Sequence, residues 1–135
     1  MTKPTTATLC LAILLAAPGW TQIRNVTINT ESDEGKLLQQ AGDQADAAEK
    51  IKLLEEFITK YGSHDAAGWV HLQLLTEYLK LNNFDKAVEH GQKAQAKVPQ
   101  DLEVAHLLVK AAEGKGDAET LAKMVENTQD RKSVV

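Results

Sequence analysis

The sequence predicts an all-α protein made of helix hairpins in tandem, and three observations support this prediction. From Glu34 onward the apolar residues recur with a period close to 3.6, which is typical of amphipathic helices. Turn-forming and helix-ending residues interrupt this period at regular places. Aromatic residues make up only 4% of the chain, while the abundant Ala, Leu, Lys, Glu and Gln lose little freedom in a helix.

Six helices are expected, and most of them are ended by an identifiable residue or pair. Gly62 ends the second helix, and Ser63 or Asp65 is expected to cap the third. Asn82-Asn83 forms the next turn, because Asn tolerates left-handed backbone geometry, and Pro99 stops the fourth helix. The predicted helices span residues 34–41, 51–61, 66–81, 85–97, 102–113 and 117–127, with the last two hinged at Gly114-Lys115-Gly116.

The helix pairs share one register, which indicates internal repeats. A forward shift of 34 residues places Leu74 on Leu108. A backward shift of 37 residues places Leu74 on Leu37 and Pro99 on Gly62. Apolar positions and helix terminators therefore recur together, so three consecutive helix pairs are predicted rather than six unrelated helices.

The residues of the middle unit resemble the tetratricopeptide repeat (TPR) family. The motif residues stand in Gly68–Asp101, and they are Leu74, Tyr78, Ala87, Ala94 and Pro99. The resemblance implies a short right-handed α-solenoid of stacked antiparallel hairpins over residues 34–127, which binds a partner protein. Residues 34–64 form a degenerate repeat, 68–101 the best repeat and 102–127 a partial repeat, followed by a polar tail at 128–135.

The middle unit departs from the family pattern at three positions. His71 stands where Trp is usual, Leu75 replaces a small residue, and Gly91 replaces a large aromatic residue. We expect Leu75 and Gly91 to exchange bulk across the helix pair. We also expect His71 to fill part of the groove between the helices, and His64 and His90 to be solvated.

The first 21 residues are predicted to be a signal peptide. A short polar start with Lys3 precedes the apolar run Ala7–Ala17, which Pro18-Gly19 interrupts. The run is about half as long as a spanning helix requires, so a retained membrane anchor is the weaker alternative. Residues 22–33 are predicted to be a flexible linker. Residues 52–62 resemble a phrase of bacterial periplasmic TPR proteins. Together with the signal-peptide pattern, this resemblance implies a periplasmic or extracellular location.

No catalytic, cofactor-binding or metal-binding pattern stands out. The four histidines form no His-x-x-x-His or carboxylate-x-x-His cluster, although typical metal sites need three or four converging ligands. Glu55 and Glu56 fit a solvated helix face. The net charge of −4 comes without a basic stripe. We therefore expect no enzyme activity, no cofactor, no small-molecule substrate and no nucleic-acid partner.

The remaining functional feature is a surface. In the TPR family the first helices of successive units line a concave face that holds partner peptides. The candidate groove residues are Trp69, Leu72, Thr76, Leu79, His106 and Lys110. Trp69 and Leu72 have an alternative role, which is packing on the preceding unit. The predicted function is an exported scaffold for a partner protein or peptide, and the alternative is a structural, self-associating segment of a larger assembly.

Overall fold

The computed structural model of the chain describes residues 26–132, and the side chains as far as residue 127. Within these residues the chain is all-helical and contains no strand, which confirms the predicted fold class at that level. The predicted signal peptide at 1–21 lies outside the described residues. The helices are α1 (Asp33–Asp43), α2 (Ala47–Tyr61), α3 (Ala67–Lys80), α4 (Phe84–Lys97), α5 (Leu102–Lys115) and α6 (Ala118–Lys132).

Side chains cap most of the helix N-termini. Ser32, Asp46, Asn83 and Asp101 each accept a hydrogen bond from a backbone N–H in the first turn that follows. Such caps satisfy donors that have no partner within the helix. These cap residues, which lie in the short polar links, therefore define where α1, α2, α4 and α5 begin.

The N-terminus of α3 differs from the prediction that Ser63 or Asp65 caps it. The cap residue is Ala66, which offers no side-chain acceptor, and the Nδ1 atom of His64 instead accepts a hydrogen bond from the Ala66 N–H at 3.0 Å. Ala66 already has helical backbone angles, with φ −71° and ψ −11°. The chain thus enters α3 through a helical turn rather than from an extended cap.

The α3–α4 and α5–α6 turns use left-handed backbone, as predicted for Asn82, which has φ 54°. The hinge before α6 is narrower than expected, because Gly114 and Lys115 belong to α5 and only Gly116, with φ 75°, is left-handed. A Cβ atom at Gly114 would overlap the ring of Phe84. Glycine is therefore needed where α5 passes the start of α4. At the other end of α6 no Gly or Pro follows residue 127, and the helix continues to Lys132 instead of ending at Asn127.

Each helix packs against the next one in the chain, and α3 also contacts α5. Ala87 and Ala94 on α4 are fully buried, and such small side chains let the paired helices approach closely. The largest fully buried side chains are Phe57, Leu54, Leu74, Leu75, Leu108, Val70 and Val104. The core therefore runs through all the hairpins, with its bulk on α2, α3 and α5.

Gly91 does not exchange bulk with Leu75 as expected. A Cβ atom at Gly91 would lie 2.8 Å from Cδ1 of Leu108 on α5, and the nearest atoms in front of it all belong to that side chain. Gly91 therefore makes room for the following hairpin, while Leu75 is fully buried in its own right. A leucine from the neighbouring hairpin thus fills the space where the TPR resemblance implies a large aromatic residue.

Part of the predicted flexible linker packs on the helical domain. Val26 and Ile28 lie against the hydrophobic core. The carbonyl oxygen of Asn29 accepts hydrogen bonds from the backbone and hydroxyl of Ser32, and the Asn29 backbone lies so close to Gly35 that a Cβ there would overlap it. Residues 26–32 therefore belong to the folded unit. No helix among the described residues is long and apolar enough to cross a membrane.

Candidate functional site

The predicted groove residues on α3 are largely drawn into the protein. Leu72 is only 4% exposed and belongs to the core. Trp69 and Leu79 are half-buried and pack against that core. Thr76 is also half-buried, and its hydroxyl donates to the carbonyl oxygen of Leu72 at 3.0 Å. Leu72 is thus a core residue, while Trp69, Thr76 and Leu79 keep accessible edges.

The predicted groove residues on α5 are in the open. His106 and Lys110 are both exposed. The helices α3 and α5 contact each other, and the 34-residue register places His106 and Lys110 at the positions of Leu72 and Thr76. The structure therefore brings the predicted set onto two neighbouring helices, with a half-buried apolar part on α3 and an exposed polar part on α5.

A buried histidine pair links α3 to α4. The Nδ1 atoms of His71 and His90 are 3.0 Å apart, and their ring centroids are 5.2 Å apart. His71 is 5% exposed and His90 is 4% exposed. The prediction for His71 is confirmed, whereas the prediction that His90 is solvated is wrong.

The sequence contains a signal for the burial of His90 that the prediction missed. Ala87, Gly91 and Ala94 follow one helical stripe, and residue 90 lies within it. Because small residues at this spacing are typical of a helix interface, the same spacing places His90 there too. His71 lies 19 residues earlier on the partner helix, so no local motif joins the two.

Tyr78 and Glu55 extend the pair to α2. The ring of Tyr78 stacks on that of His90, with centroids 5.6 Å apart and an interplanar angle of 13°. The hydroxyl of Tyr78 donates a hydrogen bond to Oε1 of Glu55. Burial, followed by this hydrogen bond to a carboxylate, raises the pKa of Tyr78. Glu55 is therefore a structural acceptor rather than only a solvated residue, while Glu56 is exposed and pairs with Lys60 as a surface residue.

One nitrogen of the pair is incompletely satisfied. Nε2 of His90 is buried without a hydrogen-bond partner among the described residues, and it lies 4.0 Å from Oε1 of Glu55. Burial lowers the pKa of His71 from 6.5 to about 4, and it also lowers the pKa of His90. Both rings are therefore neutral at pH 7. The two rings can therefore take up protons only below neutral pH. The described residues contain no group of three or more His, Cys, Asp or Glu placed to hold a metal ion.

A shallow depression lies where the α3–α4 turn meets the end of α5. Its lining comes from residues 81–85 together with Gly114 and Lys115. The Lys115 ammonium is 3.3 Å from Asp85 and 3.7 Å from Asp117, so this cation is already held by carboxylates. The depression therefore marks the place where two hairpins meet.

Comparison with known proteins adds no relative: no protein-family model, no curated protein and no solved structure matches this chain. The function has to be inferred from the surfaces and contacts of the chain itself. The surface of α3 and α5 and the buried histidine cluster are the two features of the chain that bear on its function.

Proposed function

We propose that the chain is an exported protein–protein interaction scaffold, which binds a partner protein or peptide across α3 and α5 on the concave face of a TPR-like α-solenoid. The observation that carries this proposal is the direct contact between α3 and α5, which α4 separates in the chain. In stacked helix hairpins the first helices of successive units lie side by side and form an extended binding surface. Export rests on the signal-peptide pattern of residues 1–21.

The chemistry of this surface suits a partner chain rather than a small molecule. Trp69 and Leu79 offer apolar edges on α3, and partly buried aromatic side chains are typical anchors of protein interfaces. His106 and Lys110 offer exposed polar groups on α5. Such a surface combines an apolar strip with a polar rim, which is the usual arrangement of a non-obligate interface.

Substitutions at Thr76 and Lys110 test this proposal better than truncation of Trp69, because Trp69 also packs against the core. Thr76→Arg places a long side chain over the α3 strip, and Lys110→Glu reverses an exposed charge on α5. Each variant should weaken partner binding by about thirtyfold, as loss of an interface hot spot of about 2 kcal/mol does. Capture from an extract of the native compartment, followed by quantitative mass spectrometry, measures the loss.

The matched control is Lys123→Glu, which reverses the charge of an exposed lysine on α6. A partner that uses the α3–α5 surface is lost with Thr76→Arg and Lys110→Glu and retained with Lys123→Glu. Circular dichroism should show unchanged helix content in all variants. Equal capture by all of them would contradict the proposed surface.

Self-association is a second candidate function, favoured by the exposed side of α6. Val125 is 58% exposed, although the 34-residue register makes it the counterpart of the buried Gly91. We infer that this side of α6 stacks on another hairpin. Light scattering should then show a mass that rises with concentration, and Val125→Glu should abolish the rise, whereas Leu102→Glu, equally apolar and exposed on α5, should not. A concentration-independent monomer would contradict self-association.

A further inference from the structure

We propose that His71 and His90 form an acid-sensitive latch between α3 and α4, which is closed while the pair holds at most one added proton and opens when both rings are protonated. The latch is a property of the helix pair, and it does not depend on which partner the α3–α5 surface binds. It rests on the separation of the two rings and on the groups around them.

The separation of the two Nδ1 atoms fixes how many protons the closed pair can hold. At 3.0 Å the two atoms form a hydrogen bond, so one of them must donate and the other must accept. A fully protonated pair would have two N–H groups that face each other, with two positive charges in a buried place. The closed latch therefore accepts no second proton, whereas two separated rings accept one each.

Glu55 selects the arrangement of the protons at neutral pH. Its Oε1 atom lies 4.0 Å from the buried Nε2 of His90, and a carboxylate favours an N–H over a bare lone pair at that distance. His90 then carries its hydrogen on Nε2, and its Nδ1 accepts the hydrogen bond that His71 donates. This tautomer leaves Nε2 of His71 as the bare nitrogen where the first added proton enters.

The surroundings keep the closed pair neutral at pH 7. Burial is the largest influence that lowers the pKa of both rings, and the neighbouring ring and lysines lower the pKa of His71 further. Carboxylates act in the opposite direction on both rings. The titratable and charged groups around the pair are Glu55 on α2, Tyr78 on α3, and Lys86, Glu89, Lys93 and Lys97 on α4.

The sign of the pH effect follows from these pKa directions. The separated rings have the ordinary histidine pKa of 6.5, and the closed pair binds protons only at lower pH. Between these values the open state holds more protons than the closed state, so acidification favours opening. The helix pair therefore keeps its full stability above about pH 6.5 and loses it as the pH falls towards the lowered pKa values.

The test compares urea unfolding at pH 6.0 and pH 5.0 for the full chain and for the double variant His71→Phe/His90→Phe. A histidine that has a pKa of 6.5 in the unfolded chain and stays neutral in the folded chain favours unfolding as the pH falls. Between pH 6.0 and pH 5.0, one such histidine raises the equilibrium constant for unfolding by at most about eightfold, and two raise it by at most about sixtyfold. We expect the increase in the unfolding constant of the wild-type chain to be more than about eight times the increase in that of the double variant. His106→Gln, which removes an exposed histidine, should retain the wild-type increase.

An excess of about eightfold or less would overturn the latch, because only one ring would then change its charge on opening. Histidine NMR titration of the wild-type chain gives a second test that does not depend on folding of the variant. While the helices remain folded, the signals of both rings should report the uptake of a single proton, with a midpoint below pH 6. Midpoints near 6.5 for both rings in the folded chain would also overturn the proposal.

Discussion

Replacing Phe57 by alanine should lower the free energy of unfolding by about 3–5 kcal/mol, since removal of a buried aromatic ring adds a cavity to the lost transfer free energy. Phe57 is fully buried and is the largest side chain with no exposed surface. Its ring lies 5.3 Å from that of Tyr61 and meets the His64 ring edge-on at 5.8 Å. Such tilted and edge-on contacts add to the burial term. The ring therefore holds α2 against the turn that leads into α3.

Urea unfolding followed by circular dichroism measures this loss. Domains of this size have a total stability of only about 5–15 kcal/mol, so Phe57→Ala should leave a barely folded chain. Two variants on α2 serve as controls for the size of this loss. Phe57→Leu should lower the free energy of unfolding by less than about 1.5 kcal/mol. Thr59→Ala, at an exposed position, should lower it by about 0.5 kcal/mol or less. A loss below about 1 kcal/mol for Phe57→Ala would mean that the α2 ring is not part of the core.

The helices could be predicted from the sequence because their signals are local. Gly62, Asn82 and Pro99 each act on the backbone of their own turn, through missing side-chain bulk, tolerance of left-handed angles or a missing N–H. The structure places chain turns at all three positions. The predicted end of α6 at Asn127 is wrong, because no local helix terminator follows Asn127 and the helix continues to Lys132.

The buried histidine cluster could not be predicted in the same way, because its members come from three helices. His71 and His90 are 19 residues apart. Glu55 accepts a hydrogen bond from the hydroxyl of Tyr78, which lies 23 residues further along the chain. Helix periodicity gives the face on which each residue lies, but not the height at which two helices meet. Only the α3–α4 packing brings the two Nδ1 atoms within hydrogen-bond distance.

The groove prediction was limited by the same lack of tertiary information. Periodicity places Leu72 and Thr76 on one stripe of α3, but it does not show how much of that stripe the neighbouring helices cover. Leu72 is buried there and its register counterpart His106 is exposed. One register can thus contain a core residue in one hairpin and a surface residue in the next, depending on the packing of the neighbouring helices.

Substitution of Gly91 should also have a large effect on stability, opposite to what the resemblance to the TPR family would suggest. A large aromatic residue is usual there, so a consensus substitution would suggest Gly91→Phe as a stabilising change. In this chain Leu108 occupies the space, and even a Cβ atom would lie 2.8 Å from its Cδ1. Gly91→Phe should therefore lower the free energy of unfolding by about 1–3 kcal/mol or more, despite a small gain in helix propensity.

A double-mutant cycle with Leu108→Ala separates this steric conflict from other causes. Leu108 is fully buried, so Leu108→Ala alone should cost about 2–5 kcal/mol through the cavity that it leaves. In the double variant the phenyl ring can fill that cavity, so the combined loss should be smaller than the sum of the two single losses by about 1–3 kcal/mol. Urea unfolding of the four chains gives this coupling energy. Strictly additive losses would mean that the side chain at position 91 does not meet α5, and that the hairpins are not packed through this glycine.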